Sequence, residues 1–387
     1  MTIGRLVLFG AAGDLAGRLL LPALSALHAE DRLPAGFEVV GADTRDWDDG
    51  AFRRHVAERL ASHAAAVPQP ARDALAAGCR YRRADAADAR AVAQVVRAAG
   101  GEPLVAYLAL PQRSFAQAVA SLAGAGLPPG SRLAVEKPFG EDLDGAVALN
   151  ALLREHFPDE AAVFRVDHVL GMSAVRELAA LEASSQEVRE VEVLWEETLA
   201  LEGRAGFYDA AGALRDVLQN HMLQLVAVLA SDAATTKLDA LRAVRPPAPG
   251  DMVRRTRRAR YSGYAQEDGV DPGRGTETFA EVLLDLDTPR WEGTPFRLRA
   301  GKALAARCKG VVLHRHDSGV QRIACGGEVD AYVRVLSDLL GGGSALAVGA
   351  EEAEEAWRIV TPVLDAWAAG VVALEDYPAG SSGPPRL

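Results

Sequence analysis

Two histidines and the acids near them are the residues of this chain best suited to acid–base chemistry. Arg165-Val166-Asp167-His168 ends a predicted strand, and His221 lies in a predicted helix with Asp216. Imidazole ionises near neutral pH, so a histidine beside a carboxylate can take up and return a proton. On a helical wheel, His221 falls at the border between an apolar and a polar face. Taken alone, this position is better explained by a histidine at the edge of the core than by a base.

A glycine-rich segment near the N-terminus has the position of a dinucleotide-binding turn. Gly10-Ala11-Ala12-Gly13-Asp14-Leu15-Ala16-Gly17 follows a predicted strand and precedes a predicted helix. Glycines let the backbone approach a pyrophosphate, and the helix N-terminus directs free N–H groups and the positive end of its dipole toward it. The spacing differs from the usual GxGxxG, so a tight turn without a ligand is the alternative.

The loop after the second predicted strand would face the adenosine ribose. Asp43 there would accept hydrogen bonds from the ribose hydroxyls and repel a 2′-phosphate, which favours NAD. Arg45 would attract that phosphate, which favours NADP. Both residues could also simply be solvated in a loop.

Two kinds of scaffold must position these residues. Up to about residue 163, strands and helices alternate, which predicts an α/β, Rossmann-like, doubly wound domain. Its predicted strands are 5–10, 37–42, 104–110 and 132–135, and its predicted helices are 18–30, 51–63, 71–77, 87–99 and 115–125. Beyond that point strands no longer alternate with helices, which predicts an α+β C-terminal domain with a mainly antiparallel sheet. Its predicted strands are 188–195, 279–286 and 296–298, and its predicted helices are 213–229 and 330–340. We expect domains at 1–165 and 166–387.

The composition excludes several classes of partner. The net charge of −11, without a long basic run, argues against binding of nucleic acid. No apolar run reaches the length of a membrane span, and the N-terminus lacks the features of a signal peptide. Three widely spaced cysteines without a CxxC pattern favour a reducing cytoplasm. His314-Arg315-His316 has no third ligand at a suitable spacing, so we expect no metal site.

Three further segments form a specific combination with the glycine-rich turn. They are Glu136-Lys137-Pro138-Phe139-Gly140, Arg165-Val166-Asp167-His168 with Leu170-Gly171, and Gln219-Asn220-His221. In this order they resemble signatures of the glucose-6-phosphate dehydrogenase family. Shorter matches extend the resemblance over nearly the whole chain, at 107–109, 202–204, 276–279, 299–302, 330–332, 356–359 and 377–380.

The resemblance implies a reaction and a role for each matched residue. The C1 hydroxyl of a hexose, glucose 6-phosphate in the family, would be oxidised to the lactone with hydride transfer to NAD(P)+. His221 would be the general base, Asp167 would fix its tautomer, and Lys137 would lie between cofactor and sugar. The implied sugar-binding residues are Lys137, His168, Glu197, Asp216, Lys302 and Arg307. The implied cofactor-binding residues are Gly10, Ala12, Gly13, Asp14, Leu15, Asp43, Thr44, Arg45, Leu110, Pro111, Glu136 and Lys137. The family also implies a homodimer built on the sheet of the second domain.

The stretch expected to bind the 6-phosphate departs from the family pattern. Where the family has His-Tyr-x-x-Lys, this chain has His168-Val169-Leu170-Gly171-Met172. Two phosphate donors are therefore replaced by apolar side chains, at a cost of about 1.5–3 kcal/mol for each charge-assisted contact. Arg165 or Arg176 could supply a replacement cation. A dehydrogenase of a non-phosphorylated or modified hexose is consequently the alternative substrate assignment.

Other departures concern the cofactor and the oligomer. Thr44 stands where the family usually has an arginine for the 2′-phosphate, which together with Asp43 favours NAD or dual use over strict NADP. The segments at 172–197 and 307–330 are shorter than in the family, which weakens the expectation of a dimer and argues against a separate structural NADP site.

Two other functional classes stay open: a non-catalytic nicotinamide-binding module, and another Rossmann oxidoreductase such as one acting on inositols. The retained candidate base argues against the first, and the segments at 136–140 and 219–221 argue against the second.

Overall fold

The chain folds into two compact units, each with its own sheet. The computed structural model describes residues 3–201, 203 and 205–387. Unit 1 comprises Met1–Gly140, Asp144–Met172 and Gly327–Ala350. Unit 2 comprises Glu141–Leu143, Ser173–Gly326 and Glu351–Leu387. Glu202 and Arg204, which belong to one of the segments matched to the family, lie outside the described residues.

Strands and helices are numbered separately, each in chain order. The strands are β1 (Arg5–Phe9), β2 (Glu38–Asp43), β3 (Cys79–Arg83), β4 (Val105–Leu108), β5 (Arg132–Glu136), β6 (Val163–Val166), β7 (Val188–Glu196), β8 (Val244–Arg245), β9 (Thr256–Tyr261), β10 (Phe279–Leu286), β11 (Phe296–Gly301), β12 (Cys308–Arg315), β13 (Val320–Ala324), β14 (Ala347–Val348) and β15 (Leu374–Tyr377). The α-helices are α1 (Leu21–Ala29), α2 (Asp49–His63), α3 (Gln69–Ala77), α4 (Ala89–Ala99), α5 (Phe115–Ala125), α6 (Leu143–His156), α7 (Ser173–Ala179), α8 (Ala205–Tyr208), α9 (Leu223–Ala230), α10 (Lys237–Ala243), α11 (Met252–Arg255), α12 (Glu328–Leu340) and α13 (Ala350–Ala368). Two π-helical segments are Ala16–Leu20 and Leu214–Met222. Short 3-10 helices are Gln112–Ser114, Glu160–Ala162, His168–Gly171, Pro249–Asp251, Tyr264–Gln266 and Pro272–Arg274.

Unit 1 contains the doubly wound sheet that the alternating pattern predicts. Its strand order is β14-β6-β5-β4-β1-β2-β3, and every pair is parallel except β14 with β6. Leu6, Val7, Leu8 and Phe9 are almost fully buried, as expected for a parallel strand covered on both faces. Because β2 and β4 flank β1, the glycine-rich turn lies at the switch point where such sheets bind nucleotides.

The segment around α12 joins unit 1 although it follows most of unit 2 in the chain. Leu336 and Leu339 of α12 belong to the same buried cluster as Leu24 and Leu27 of α1, and β14 pairs with β6. The domain boundary expected from the sequence, between residues 165 and 166, stays a prediction. The observed units differ from it at 141–143, 166–172 and 327–350. Residues 327–350 belong to unit 1 because the apolar face of α12 is buried against α1.

Unit 2 is built on the mainly antiparallel sheet expected for the second half. The order is β13-β12-β7-β11-β10-β9-β15, with β8 attached to β10. Among the described strands of this second sheet, only β7 with β11 and β9 with β15 pair in parallel. The sequence patterns located β7, β10 and β11 but not β12 or β13. Within the described residues, none of the helices combines the length and apolarity that a membrane crossing requires.

Candidate functional site

The turn after β1 requires glycine at its first position. Gly10 has φ +79°, and a Cβ atom there would lie 2.2 Å from the carbonyl oxygen of Ala109. The N–H of Gly13 donates to the carbonyl of Gly10 at 2.9 Å, which closes the turn. Only glycine combines this conformation with such a close approach of backbone to backbone. The turn and the helix that follows it therefore suit the pyrophosphate of a dinucleotide.

Hydrogen bonds fix the loop after β2 beside this turn. A carboxylate oxygen of Asp43 accepts from the N–H of Ala12 at 3.2 Å. The Tyr81 hydroxyl donates to the carbonyls of Asp43 and Arg45 at 3.0 and 2.8 Å. Arg45 is exposed, and its guanidinium carbon lies 4.9 Å from the ring centroid of Trp47. Asp43 and Arg45 are thus held beside the turn, and Tyr81 is a supporting residue that the sequence patterns did not reveal.

The other predicted cofactor-binding residues of the loops are mostly exposed. Asp14 forms exposed ion pairs with Arg18 and Arg59, at 3.1 and 3.2 Å. Leu15 is partly buried, and Thr44 is exposed next to Asp43. After β4, Leu110 is partly buried and Pro111 is exposed.

Glu136, at the end of β5, is a buried acid bound by two tyrosines. It is 6% exposed, and its Oε1 accepts from the hydroxyls of Tyr107 and Tyr332 at 2.5 and 3.0 Å. Burial raises the pKa of Glu136 to about 7, although the tyrosine hydrogen bonds and nearby Lys137 act in the opposite direction. The carboxylate expected to bind the cofactor is therefore engaged by tyrosine hydroxyls of unit 1. Lys137, the next residue, is partly exposed and donates its backbone N–H to the carbonyl of Val166 at 3.3 Å.

Asp167 caps the 3-10 helix that follows β6, and His168 is its first residue. Asp167 is 1% exposed, and its carboxylate accepts from the N–H of Val169 at 3.1 Å. The ring of His168 stacks on Tyr332, with the ring centroids 5.3 Å apart and 21° between the planes. Unit 1 therefore brings Glu136, Lys137, Asp167 and His168 to the ends of the adjacent strands β5 and β6.

The altered phosphate stretch is part of the core of unit 1. Val169 and Met172 are 0% and 2% exposed, so they serve packing and offer no donor to a ligand. Arg165 is 1% exposed, and its guanidinium is bound to Asn150 and Glu160. The structure therefore commits Arg165 to an internal role. Arg176 lies on the exposed face of α7 in unit 2.

In unit 2, Asp216 and His221 share the π-helical segment Leu214–Met222. π-helical bonds join residues five apart, so this segment brings Asp216 and His221 nearer to one face than an α-helix would. The Asn220 side chain stabilises the wide turn: it donates to the carbonyl of Arg215 at 2.9 Å and accepts from the N–H of His221 at 2.8 Å. The α-helical wheel used for the sequence could not represent this register.

The N-terminus of the π-helical segment is held by Glu277. Its carboxylate accepts from the N–H of Leu214 at 3.0 Å, and its carbonyl accepts from the N–H of Ala213 at 3.1 Å. Gly212 makes room, because a Cβ atom there would lie 2.4 Å from the carboxylate of Glu277. Burial raises the pKa of Glu277. Glu277 lies in the segment 276–279, which resembles the family. This resemblance was the only feature of the sequence that pointed to Glu277.

His221 is buried against an aromatic ring of β7. It is 3% exposed, and its ring stacks on Trp195 with centroids 5.2 Å apart and 29° between the planes. The position at the border of two faces suggested a half-buried side chain. The side chain is instead buried and stacked on Trp195, a contact that no helical pattern could reveal.

Glu197 and Lys302 meet at the ends of β7 and β11. The Nζ of Lys302 is hydrogen-bonded to Oε2 of Glu197 and lies 4.0 Å from Asp216, and the Nζ of Lys309 lies 2.9 Å from Oε1 of Glu197. Burial raises the pKa of Glu197, but the two ammonium groups outweigh it, so the pKa lies below its usual value. These residues border a small pocket lined by Trp195, Glu197, Tyr208, Val217, Gly301 and Lys302. Arg307 is exposed on the loop after β11, and no ion pair of Arg307 is found among the described residues.

Comparisons with known proteins agree with this arrangement. The family model described as the NAD binding domain of glucose-6-phosphate dehydrogenase matches residues 7–177, and that of the C-terminal domain matches 182–324 and 320–387. A glucose-6-phosphate 1-dehydrogenase 2 of Mycobacterium tuberculosis is 33% identical over 98% of this chain and 91% of its own length. That alignment spans 473 positions against the 387 residues of this chain, so the chain lacks segments that this relative has.

Two solved structures share the fold. The glucose-6-phosphate 1-dehydrogenase of Mycobacterium avium superposes with a TM-score of 0.87 at 29% identity, covering 99% of this chain and 96% of that chain. A glucose-6-phosphate dehydrogenase in complex with glucose-6-phosphate superposes with a TM-score of 0.89 at 23% identity, with the same coverage, and supports the fold alone. The glycine-rich turn, the strand-end residues and both family matches lead to one conclusion: this chain belongs to the glucose-6-phosphate dehydrogenase family.

Proposed function

We propose that this chain oxidises the C1 hydroxyl of glucose 6-phosphate, or of a related hexose, to the lactone. Hydride leaves C1 while the hydroxyl loses its proton, and NAD(P)+ supplies the hydride acceptor when bound. The turn at Gly10 and the loop at Asp43 and Arg45 would hold that cofactor, because both lie at the switch point of the unit 1 sheet. The single observation that carries the proposal is the π-helical segment that bears both Asp216 and His221.

The residues of unit 2 take roles that their chemistry supports. His221 would accept the proton of the C1 hydroxyl, since a neutral imidazole is a suitable base near pH 7. Glu197 and Asp216 would accept hydrogen bonds from sugar hydroxyls, and Lys302 would donate to a sugar oxygen. The stack on Trp195 holds the His221 ring in place. A base in a fixed orientation avoids the entropic cost of finding it during the reaction.

The family resemblance also gives roles to residues of unit 1. Asp167 would hold the tautomer of His221 and stabilise the imidazolium, the role of the acid in a catalytic triad. Lys137, on the segment after β5, would donate between the cofactor and the sugar. His168 would bind the sugar or its phosphate while stacked on Tyr332.

Replacing the base gives the direct test. His221→Ala should lower kcat by about 10²- to 10⁴-fold, the usual contribution of a positioned acid–base group, and leave cofactor binding unchanged. The matched control is His316→Ala, because His316 is an exposed residue of unit 2 whose ring is bonded to the carbonyl of Ser185. Turnover that survives in His221→Ala would contradict the assignment of the base. Absence of turnover in the wild type with every hexose would instead favour a module that binds nicotinamide without catalysis.

A second candidate function is the oxidation of a non-phosphorylated or modified hexose. Val169 and Met172 are buried apolar residues where the family pattern has phosphate donors, and Arg165 is bound to Asn150 and Glu160. An absorbance assay of the reduced nicotinamide should compare glucose 6-phosphate, glucose and amino or deoxy sugars. A micromolar KM for glucose 6-phosphate would remove the second candidate.

The cofactor preference is a finer proposal of the same kind. We infer use of NAD or of both cofactors, because Asp43 is fixed beside the turn and Thr44 replaces an arginine of the family. A strong preference for NADP that Arg45→Ala abolishes would contradict this inference.

We also infer a cytoplasmic homodimer formed through the sheet of unit 2. The three cysteines are free, which suits a reducing compartment. The family resemblance supports the dimer. The mass of the protein in solution, measured by light scattering, tests the oligomeric state.

A further inference from the structure

The fourth lysine of the chain has a buried ammonium group at the proposed sugar site. Lys137 and Lys302 match family site positions, and Lys237 pairs with Glu352 at 2.8 Å. The side chain of Lys309 is 7% exposed, and its Nζ lies 2.9 Å from Oε1 of Glu197. A buried ammonium is costly unless an opposite charge accompanies it. The ion pair with Glu197 supplies that charge, so the two residues are coupled.

The sheet also sets Lys309 beside Trp195. Lys309 on β12 and Trp195 on β7 are direct partners in the antiparallel register. The Nζ of Lys309 lies 4.6 Å from the indole ring centroid, within the range of a cation–π contact. The same indole stacks on His221. One ammonium group therefore contacts both a candidate sugar acceptor and the ring that supports the candidate base.

We propose that Lys309 is a positioning residue of the sugar site, which orients Glu197 by an ion pair and steadies the Trp195–His221 stack. This inference rests on the proposed function, since it assigns the same site a further residue. It explains why the chain places one of its four lysines on a buried strand position.

The ion pairs constrain Glu197 in a particular way. Lys302 binds Oε2 and Lys309 binds Oε1, so both carboxylate oxygens have a cation and the group cannot rotate freely. A carboxylate has about four acceptor sites, so lone pairs are left for sugar hydroxyls. Lys309 thus fixes the acceptor before the sugar arrives. Replacing Lys309 should therefore weaken mainly the binding of the sugar.

The test removes the charge and keeps the length of the side chain. Lys309→Met should raise the KM for the hexose by about 10- to 100-fold, the range expected when a charged hydrogen-bond partner is lost. The value of kcat should fall less, because the methionine stem still packs on Trp195. Lys309→Arg keeps the charge and should restore KM to within about tenfold of the wild-type value.

A matched control separates positioning from stability. Lys237→Met removes another partly buried lysine of unit 2 that is bonded to Gln224 and Glu352. It should lower the melting temperature but leave KM and kcat within about twofold of wild type. Should Lys309→Met fail to fold, Lys309→Gln retains a donor toward Glu197 without the charge, and KM should still rise.

The outcomes also distinguish this inference from the proposed function. A wild-type KM in Lys309→Met, with turnover still abolished by His221→Ala, overturns the role of Lys309 and leaves the proposed function intact. A rise in KM that Lys309→Arg does not reverse also overturns it, since the effect would then come from packing. Absence of turnover by the wild-type protein with every hexose and both cofactors overturns the proposed function, and this inference with it.

Discussion

Glu136 in unit 1 and Glu197 in unit 2 are both shielded glutamates at the ends of strands, yet their surroundings shift the carboxyl pKa in opposite directions. Glu136 ends β5 and is bonded by two tyrosine hydroxyls. Glu197 follows β7 and is bound by two ammonium groups. Burial raises the pKa of Glu136 to about 7, whereas the lysines bring the pKa of Glu197 below its usual value.

The difference shows that the neighbours, and not burial alone, decide what each carboxyl group can do. The hydrogen bonds from neutral hydroxyls offset only part of the rise that burial causes in the pKa of Glu136. Glu136 therefore changes charge close to neutral pH. Two cations keep Glu197 ionised, which suits a permanent acceptor of sugar hydroxyls. Glu136 is therefore better suited to holding Tyr332, and with it the ring stacked on His168, than to binding a ligand.

The largest expected effect comes from breaking the ion pairs of unit 2. Glu197→Gln leaves Lys302 and Lys309 without their shared anion. It should lower the free energy of unfolding by about 2–3 kcal/mol and raise the KM for the hexose. Urea denaturation and initial rates measure the two effects. The control is Glu196→Gln, because Glu196 is bonded to Arg299 and not to either lysine. Glu196→Gln should cost stability with KM unchanged, and an equal rise of KM in both variants would contradict the role of Glu197.

The pH dependence of Glu197 has a definite sign. Its folded-state pKa lies below the unfolded value of 4.5, so the unfolded state binds the proton more tightly. The stabilising contribution of Glu197 is present above about pH 4.5 and is lost as the pH falls through the folded pKa. Wild type and Glu197→Gln should therefore become more similar in stability as the pH falls from 4.5 through the lower folded-state pKa of Glu197.

Local patterns in the sequence predicted much of the fold and part of the site. Alternating strands and helices predicted the sheet of unit 1, and the glycine-rich turn was placed correctly after β1. The segments around Lys137, Asp167 and His221 predicted the family, which the comparisons confirmed. These features depend on neighbours within a few residues, so a single sequence contains the information.

The features that the sequence did not predict depend on distant contacts or on an unusual helix. Tyr332 reaches Glu136 across 196 residues, and α12 packs in unit 1 after the chain has passed through most of unit 2. The π-helical register around Asn220 follows from side-chain bonds to the backbone and not from hydrophobic periodicity. Lys309 meets Glu197 only because β12 pairs with β7.

An effect of similar size, but on stability alone, is expected from removing the charge of Glu136. The folded-state pKa of about 7 lies above the unfolded value of 4.5, so the native state binds the proton more tightly in this interval. Wild-type stability should fall relative to Glu136→Gln as the pH rises from about 4.5 to 8, by up to about 3 kcal/mol. Urea denaturation across this range measures the difference. If the stability of the wild type relative to Glu136→Gln rose with pH instead, Glu136 would behave like Glu197. The contrast between the two glutamates would then be lost.

The smallest effect concerns the two hydroxyl donors of Glu136. Tyr107→Phe and Tyr332→Phe each remove one donor and keep the ring, so each should cost about 1 kcal/mol of stability. Both hydroxyls bond the same oxygen, Oε1, so the loss in the double variant should differ from the sum of the single losses. Both hydrogen bonds lower the pKa of Glu136, so losing either should move the pH transition of stability to a higher pH. A shift to lower pH would mean that another group titrates in that range. The transition could then not be assigned to the carboxyl group that the two tyrosines enclose.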